Sequence, residues 1–342
     1  MKRGYLDAAA SAVCFGITAP LAKRLVGEAG SIVVGGLLYS GAGLVLLALG
    51  RVVRSREAQL SRRDIPLLAS VIAVGGVAAP LSLMVGLARC PGTTVALLLN
   101  LEVVFTVLIA VLVFRDWLGH RGTFAIAAIV LGAVAAVLPG ATVTGSGWGL
   151  AAVVGACLAW GIDNNLTRQL SDKDPMAIAA WKGLLGGSVG LLLAIATGAK
   201  MPSASVVAQS LALGAVGYGV SLVLFIRALR HLGTARTGAL FATAPFVGAI
   251  AALPILGESI GAATLAGAAI MAVGVALLLG EQHDHEHEHL SIDHQHLHVH
   301  DEHHQHEHDG GEGAAPHSHR HRHVALRHTH PHLPDLHHQH RH

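Results

Sequence analysis

The sequence predicts an all-α integral membrane protein: ten transmembrane helices arranged as two inverted five-helix repeats, followed by a disordered C-terminal tail. Three observations carry that expectation. Apolar segments about as long as a bilayer core is thick fill residues 5–280, pieces of the first half recur in order in the second, and beyond residue 280 the composition turns to histidine and charge. Of the 342 residues, 52% are hydrophobic and 13% charged, with a mean hydropathy of +0.56; a soluble domain carries about 25% charged residues. Glycine is abundant and aromatics make up only 4%. That mix suits a bundle in lipid, where small residues let helix backbones approach closely.

A helix needs about 20 apolar residues to cross the hydrocarbon core. Such segments run at about 5–26, 31–53, 65–88, 92–114, 120–138, 148–170, 176–197, 206–229, 234–256 and 260–280. The opening "MKRGYLDAAASAVCFG" imitates a signal peptide, with a basic end before an apolar run. The run continues to Val26 and nine more follow, so it reads as a first transmembrane helix. Short connections leave no room for an extramembrane domain before the tail. Cys14, Cys90 and Cys157 form no CxxC pair, and neither a disulfide nor a thiolate site is read from them.

Lysine and arginine set the orientation. With the N-terminus in the cytoplasm, the inside segments hold fourteen of them, from Lys2 and Arg3 to Arg54, Arg56, Arg227, Arg230 and Arg236. The outside segments hold only Lys23, Arg24, Arg89 and Lys200. Ten crossings return the C-terminus to the same side. The expected location is therefore the cell inner membrane, multi-pass, with both termini cytoplasmic.

Three stretches repeat. "FRDWLGHRGTFAIAAIVLGAV" at Phe114 aligns with "LGESIGAATLAGAAIMAVGVA" at Leu256, pairing Asp116 with Glu258 and Gly132 with Gly274. "GGVAAPLSL" at Gly75 aligns with "GAVGYGVSL" at Gly214, and "FGITAPLAKRL" at Phe15 with "WGIDNNLTRQL" at Trp160. The shifts are 142, 139 and 145 residues. Repeat units are therefore expected at 5–140 and 147–280, with the tail at 281–342. Five helices per unit is an odd number, so the second unit must run upside down relative to the first, the inverted design of secondary transporters.

The stretches "WGIDNNLTRQL", "LNLEVVFTVLIAVLVFRDWL" and "TAPFVGAIAALPILGESI" resemble the drug/metabolite transporter superfamily, specifically its EamA-type permeases, over residues 5 to 280. The resemblance implies secondary transport of a small metabolite or drug-like solute by alternating access, driven by an ion gradient or exchange. It implies no particular solute. The chain has no GxxxxGK[ST] phosphate loop, so nothing points to ATP. No enzymatic activity, required cofactor or nucleic-acid partner is expected; a homodimer is compatible with the sequence.

A charge inside the bilayer is costly and asks for a reason. Glu102 falls in the fourth segment, Asp163 in the sixth and Lys182 in the seventh, with Asn164 following Asp163. Two readings stay open: an internal ion pair with Lys182 that fixes packing, or a carboxylate that binds solute or carries a coupling proton. Asp163 is the better functional candidate, because its repeat counterpart Thr18 is neutral and symmetry does not demand the charge. Asp163→Asn is then expected to reduce transport without disturbing the fold. Pro80 and Gly219, at matching points of the third and eighth segments, suggest broken backbone around a central cavity. Tyr218 would line that cavity with a hydroxyl, and Trp160, one turn before Asn164, is open between lining and packing. Asp116 and Glu258 each precede a helix and read as caps for it. "GLLGGSVG" from Gly183 reads as a close-packing stripe. His120 and His231 receive no role.

The tail holds 23 of the 25 histidines. Its blocks "HDHEHEH" and "HQHLHVH" nominate His283, His285, His287, His289, His294, His296, His298 and His300 as ligands for zinc, nickel, cobalt or copper, with Asp284, Glu286 and Glu288 adding oxygen. Its composition cannot bury a core. Metal buffering, proton sensing and a passive appendage all stay open. The first reading is a solute permease modulated by the tail; the alternative is a transition-metal permease that uses the tail to capture or deliver the ion. Helices 5–280 present no paired histidines, which favours the first.

Overall fold

The computed structural model describes residues 2–52, 58–115, 118–137, 146–170, 173–228 and 240–279, and in the tail 283–289, 293–298, 317–322 and 326–332. Arg54, Arg56, Asp116, Arg230, His231, Arg236 and His300, all singled out above, lie outside the described residues.

Apart from short connections, the described residues between 2 and 279 are helical: α1 (Lys2–Ala29), α2 (Ser31–Val52), α3 (Ile65–Val71), α4 (Ala79–Arg89), α5 (Gly92–Leu98), α6 (Leu101–Val113), α7 (His120–Val137), α8 (Gly147–Arg168), α9 (Pro175–Ala196), α10 (Ala204–Gly214), α11 (221–228), α12 (Ala244–Leu256) and α13 (Ala262–Leu279). Several stacks are continuous. Among the described residues, seven helices are long and apolar enough to cross a membrane: Arg3–Ala29, Ser31–Arg51, Arg62–Arg89, Gly92–Val113, His120–Val137, Pro175–Ala196 and Ala204–Ala228. α8 falls outside that set because the run Asp163-Asn164-Asn165 lowers its hydropathy, although it has 22 residues. α12 and the stretch Ala262–Leu277 are shorter apolar helices.

Helix starts follow local chemistry. Ser146 Oγ accepts from Gly149 N at 3.1 Å to cap α8. Asp174 Oδ1 accepts from Met176 N at 2.9 Å to cap α9, whose first residue is Pro175.

α2 packs along α9, and α7 along α13; α8 lies against α4 and α6, while α12 lies against α1 and α5. Small residues make these contacts possible. A Cβ at Gly183 would fall 2.7 Å from Gly43 N and 2.9 Å from Tyr39 O, so only hydrogen fits between α9 and α2. The stripe expected from Gly183 onward is thus a close-packing surface, and its other side, at Gly186, meets the backbone of Gly76. In the α7–α13 pair, Gly132 faces Gly267 and Gly274 faces Ala125. A shift of 142 residues exchanges these two contacts.

Two stretches widen into π-helix: Ile72–Ala78 between α3 and α4, and Ala215–Val220 between α10 and α11. The irregularity foreseen at Gly219 lies in the second of these, whereas that foreseen at Pro80 lies just before that residue, and the correspondence between the halves changes. A shift of 142 carries Ile72–Ala78 onto 214–220, so Gly75 matches Gly217 rather than Gly214. Contacts agree: Gly75 lies against the Asp163 carboxylate and Gly217 against the Thr18 hydroxyl, and neither position has room for a Cβ. Pro80 is the second residue of α4, directly after the π-helix, where the turn is already irregular. The fourth segment is also broken, at Leu99-Asn100 between α5 and α6. Asn100 Nδ2 donates to Leu97 O at 3.0 Å and Cys157 Sγ to Leu98 O at 3.4 Å, satisfying carbonyls freed by the break.

The tail departs from the expectation of a chain without regular structure. β1 (His283–His289) pairs antiparallel with β4 (Leu326–His332), and β2 (Asp293–His298) with β3 (His317–Arg322). Histidine at every second residue has the period of a strand, and that alternation fits the pleat.

Gly183→Val should lower the melting temperature of the detergent-solubilised protein, by about 1–3 kcal/mol of lost stability from overpacking against backbone. Gly155→Ala, which meets nothing within 4 Å, should melt like the parent.

Candidate functional site

A cavity of about 460 Å³ opens where the irregular helices meet. Glu102, Trp160, Asp163, Asn164, Lys182 and Tyr218, the six residues nominated from the sequence, all line it. The broken fourth segment places Glu102 in the first turn of α6 rather than in mid-helix. α8 contributes Trp160, Asp163 and Asn164, α9 contributes Lys182, and the second π-helix contributes Tyr218.

The two carboxylates are held differently. Asp163, 2% exposed, pairs through Oδ2 with the Lys182 ammonium, and Thr167 Oγ1 lies 3.4 Å from its Oδ1. Gly75 and Gly76 of the first π-helix leave the space for this pair: a Cβ at Gly75 would strike Asp163, and one at Gly76 would lie 3.1 Å from Lys182 Cγ. Tyr39 takes up a carbonyl of the same π-helix, its hydroxyl donating to Gly75 O at 3.2 Å. Glu102 instead has an amide for its partner. Asn164 Nδ2 donates to Glu102 Oε1 at 3.0 Å and to Thr106 Oγ1 at 3.1 Å. Beside it, Asn165 Nδ2 donates to Thr106 O at 3.0 Å and Gly161 O at 2.8 Å, fastening α8 to α6.

Aromatic rings also line the cavity. Phe15 meets Tyr218 edge-on at 5.7 Å and Phe241 at 5.2 Å; Tyr39 lies 5.4 Å from Tyr218, and Phe225 lies 4.9 Å from Phe241. Tyr39, Phe225 and Phe241 were not singled out from the sequence. Nor was Phe15, although the repeat offered a signal: a shift of 145 carries it onto Trp160, and both line the cavity.

Lining residues extend from mid-bundle toward the end of the helices marked by Leu46, Ala179 and Phe225. At the opposite end the helices are tied together. Glu258 Oε1 accepts from Gly92 N at 2.6 Å, and its Oε2 from Thr93 N at 2.8 Å and Thr93 Oγ1 at 2.7 Å. Glu258 was expected to cap the helix that follows it; it caps α5 instead, 165 residues away in sequence. Lys23 Nζ donates to Leu87 O at 2.9 Å and to Cys90 O, closing the C-terminal end of α4 beside it. Arg227, expected only to set orientation, pairs with Asp7 at 3.3 Å. Among the described residues no cluster of three His, Cys, Asp or Glu is arranged to hold a metal.

The EamA-like transporter family matches the chain twice, over residues 2–138 and 147–280. The chain belongs to the EamA-like transporter family. An uncharacterised transporter of Methanothermobacter thermautotrophicus is 29% identical over 299 residues, covering 80% of this chain and 85% of that one. A protein crystal structure aligns with a TM-score of 0.58 at 18% identity, over 80% of this chain and 96% of its own, a likeness of fold alone. This EamA-family chain is thus a multi-pass membrane transporter with a polar cavity at the meeting point of its broken helices.

Because Asp163 and Lys182 neutralise each other in an apolar bundle, removing one strands the other. Asp163→Asn is therefore expected to destabilise the fold, contrary to the expectation from sequence. Asp163→Asn and Lys182→Met should each cost about 3 kcal/mol, and the double variant should melt closer to the parent than either single one.

Proposed function

We propose that this EamA-family member is a secondary transporter that moves a small polar or amphipathic metabolite by alternating access. Its ten crossings form two inverted five-helix repeats, in an inner membrane with both termini in the cytoplasm. The observation that carries this reading is the cavity itself. Tyr218 of the second π-helix lines it, as do Asp163 and Lys182, which pack on the first; it extends toward one end of the bundle and is tied shut at the other by Glu258 and Lys23. The exchangeable contacts Gly75–Asp163 and Gly217–Thr18 support the repeat. In the proposed orientation the cavity faces the cytoplasm, and release of Glu258 from Gly92 and Thr93 opens the outer end.

The tail's proposed role is to bind transition metal at the cytoplasmic face and adjust the transporter. Its register supports this: His283 lies opposite His332, His285 opposite His330 and His287 opposite His328, while His294, His296 and His298 lie opposite His321, His319 and His317. Positions directly opposed in an antiparallel pair are near enough for histidines placed there to share one ion. Asp284, Glu286 and Glu288 occupy the alternate positions, so the proposed ligand set is imidazole rather than imidazole with carboxylate.

Two measurements test these proposals. In proteoliposomes, removing 281–342 should leave solute flux intact and abolish its response to micromolar zinc or nickel; metal flux that disappears with the tail would point instead to a metal permease. In a Cys14→Ser, Cys157→Ser background, Glu258→Ala should raise labelling of buried Cys90 by a membrane-impermeant maleimide several-fold. Unchanged labelling would remove Glu258 from the closure.

A further inference from the structure

Resting on the transport reading, we infer that the solute is a monovalent organic cation: a protonated amine on an aromatic or compact apolar body, with the ammonium seated at Glu102. The charges of the lining lead there. Among the described residues, the acidic and basic side chains lining the cavity are Glu102, Asp163 and Lys182. Lys182 is committed to Asp163, whose oxygens both have partners. Glu102 is therefore the carboxylate in excess. Its partner at Oε1 is the Asn164 amide, which orients the group without cancelling its charge. With both carboxylates ionised the described lining residues carry one net negative charge, and a monocation completes it.

Shape points the same way. Phe15, Tyr39, Tyr218, Phe225 and Phe241 form one connected aromatic surface in the same cavity. Ring faces attract cations and repel anions, and they also take the apolar body of an amphipathic amine. An anion would meet Glu102 with Lys182 already engaged. A neutral solute would leave a carboxylate unpaired in an apolar site. The volume of about 460 Å³ lies within the range of about 300–1,000 Å³ used for small-molecule sites.

Isothermal titration of the purified full-length protein tests this with matched probes: phenethylamine and cyclohexylmethylamine, their alcohols and their carboxylates. An amine should bind at least about tenfold more tightly than its alcohol, with no saturable binding of the carboxylate. Glu102→Gln, which keeps the acceptor for Asn164, should erase the preference for the amine. Equal or tighter binding of an alcohol or carboxylate overturns the assignment, and so does failure of both amines to bind. The wild-type series decides even if the variant does not fold. Flux in proteoliposomes separates the two layers. Selective amine binding without flux would defeat the transport reading and leave the charge assignment standing, whereas flux of neutral or anionic probes alone would do the reverse.

Discussion

A lysine ammonium inside an apolar bundle must be neutralised within contact distance, and much of the central architecture follows from how that is done. Lys182 reaches Asp163 across the junction of α9 and α8 only because α3 widens into a π-helix at Gly75 and Gly76, whose missing side chains leave the volume the pair occupies. A π-turn frees backbone carbonyls, which lipid cannot satisfy, and Tyr39 supplies a donor to one of them. The ion pair, the backbone defect and the tyrosine are therefore one unit. Removing any of the three leaves a buried polar group unmatched.

The repeat makes the same site intelligible through its asymmetry. Gly217 of the second π-helix faces Thr18, as Gly75 faces Asp163. Thr18 satisfies itself, its hydroxyl donating to Cys14 O at 2.8 Å, and so needs no lysine opposite. Phe15 and Trp160 are likewise matched in position and differ in kind. Contacts kept between the halves, such as Gly132 with Gly267 and Gly274 with Ala125, set how close the helices come. Where the halves differ, at Asp163 against Thr18, the second half gains the charge that calls for Lys182.

Much of this was legible in the sequence because lipid simplifies the code. Length and hydropathy mark helices, and a charged residue in an apolar run marks a costly position, which is how Glu102, Asp163 and Lys182 were found. Partners were less legible. Whether Asp163 or Glu102 pairs with Lys182 depends on where a π-turn makes room, and hydropathy does not register a π-turn. Alignment by residue type misplaced it as well, choosing a shift of 139 over 142 because "GGVAAPLSL" and "GAVGYGVSL" share a Gly-x-Val start and a Ser-Leu ending. The break at Leu99-Asn100 contains no glycine or proline, so the usual punctuation was missing. Glu258 was read from its neighbours in sequence, whereas its partners come from the other half of the chain.

The tail and the bundle carry chemistries that do not mix. Transition metals favour imidazole and thiolate, while carboxylate and amide oxygens suit harder cations. Of the three cysteines, Cys90 and Cys157 are buried, and Cys157 is spent on the carbonyl of Leu98. The carboxylate oxygens of the described lining belong to one group held by an ammonium and one held by an amide. Delivering a soft metal from the histidines of the tail into that setting would exchange good ligands for poor ones and place a divalent charge beside Lys182. An amine faces no such penalty, since it brings one charge to the one carboxylate in excess and an apolar body to the ring surface. The histidines then suit sensing beside the bundle better than a path through it.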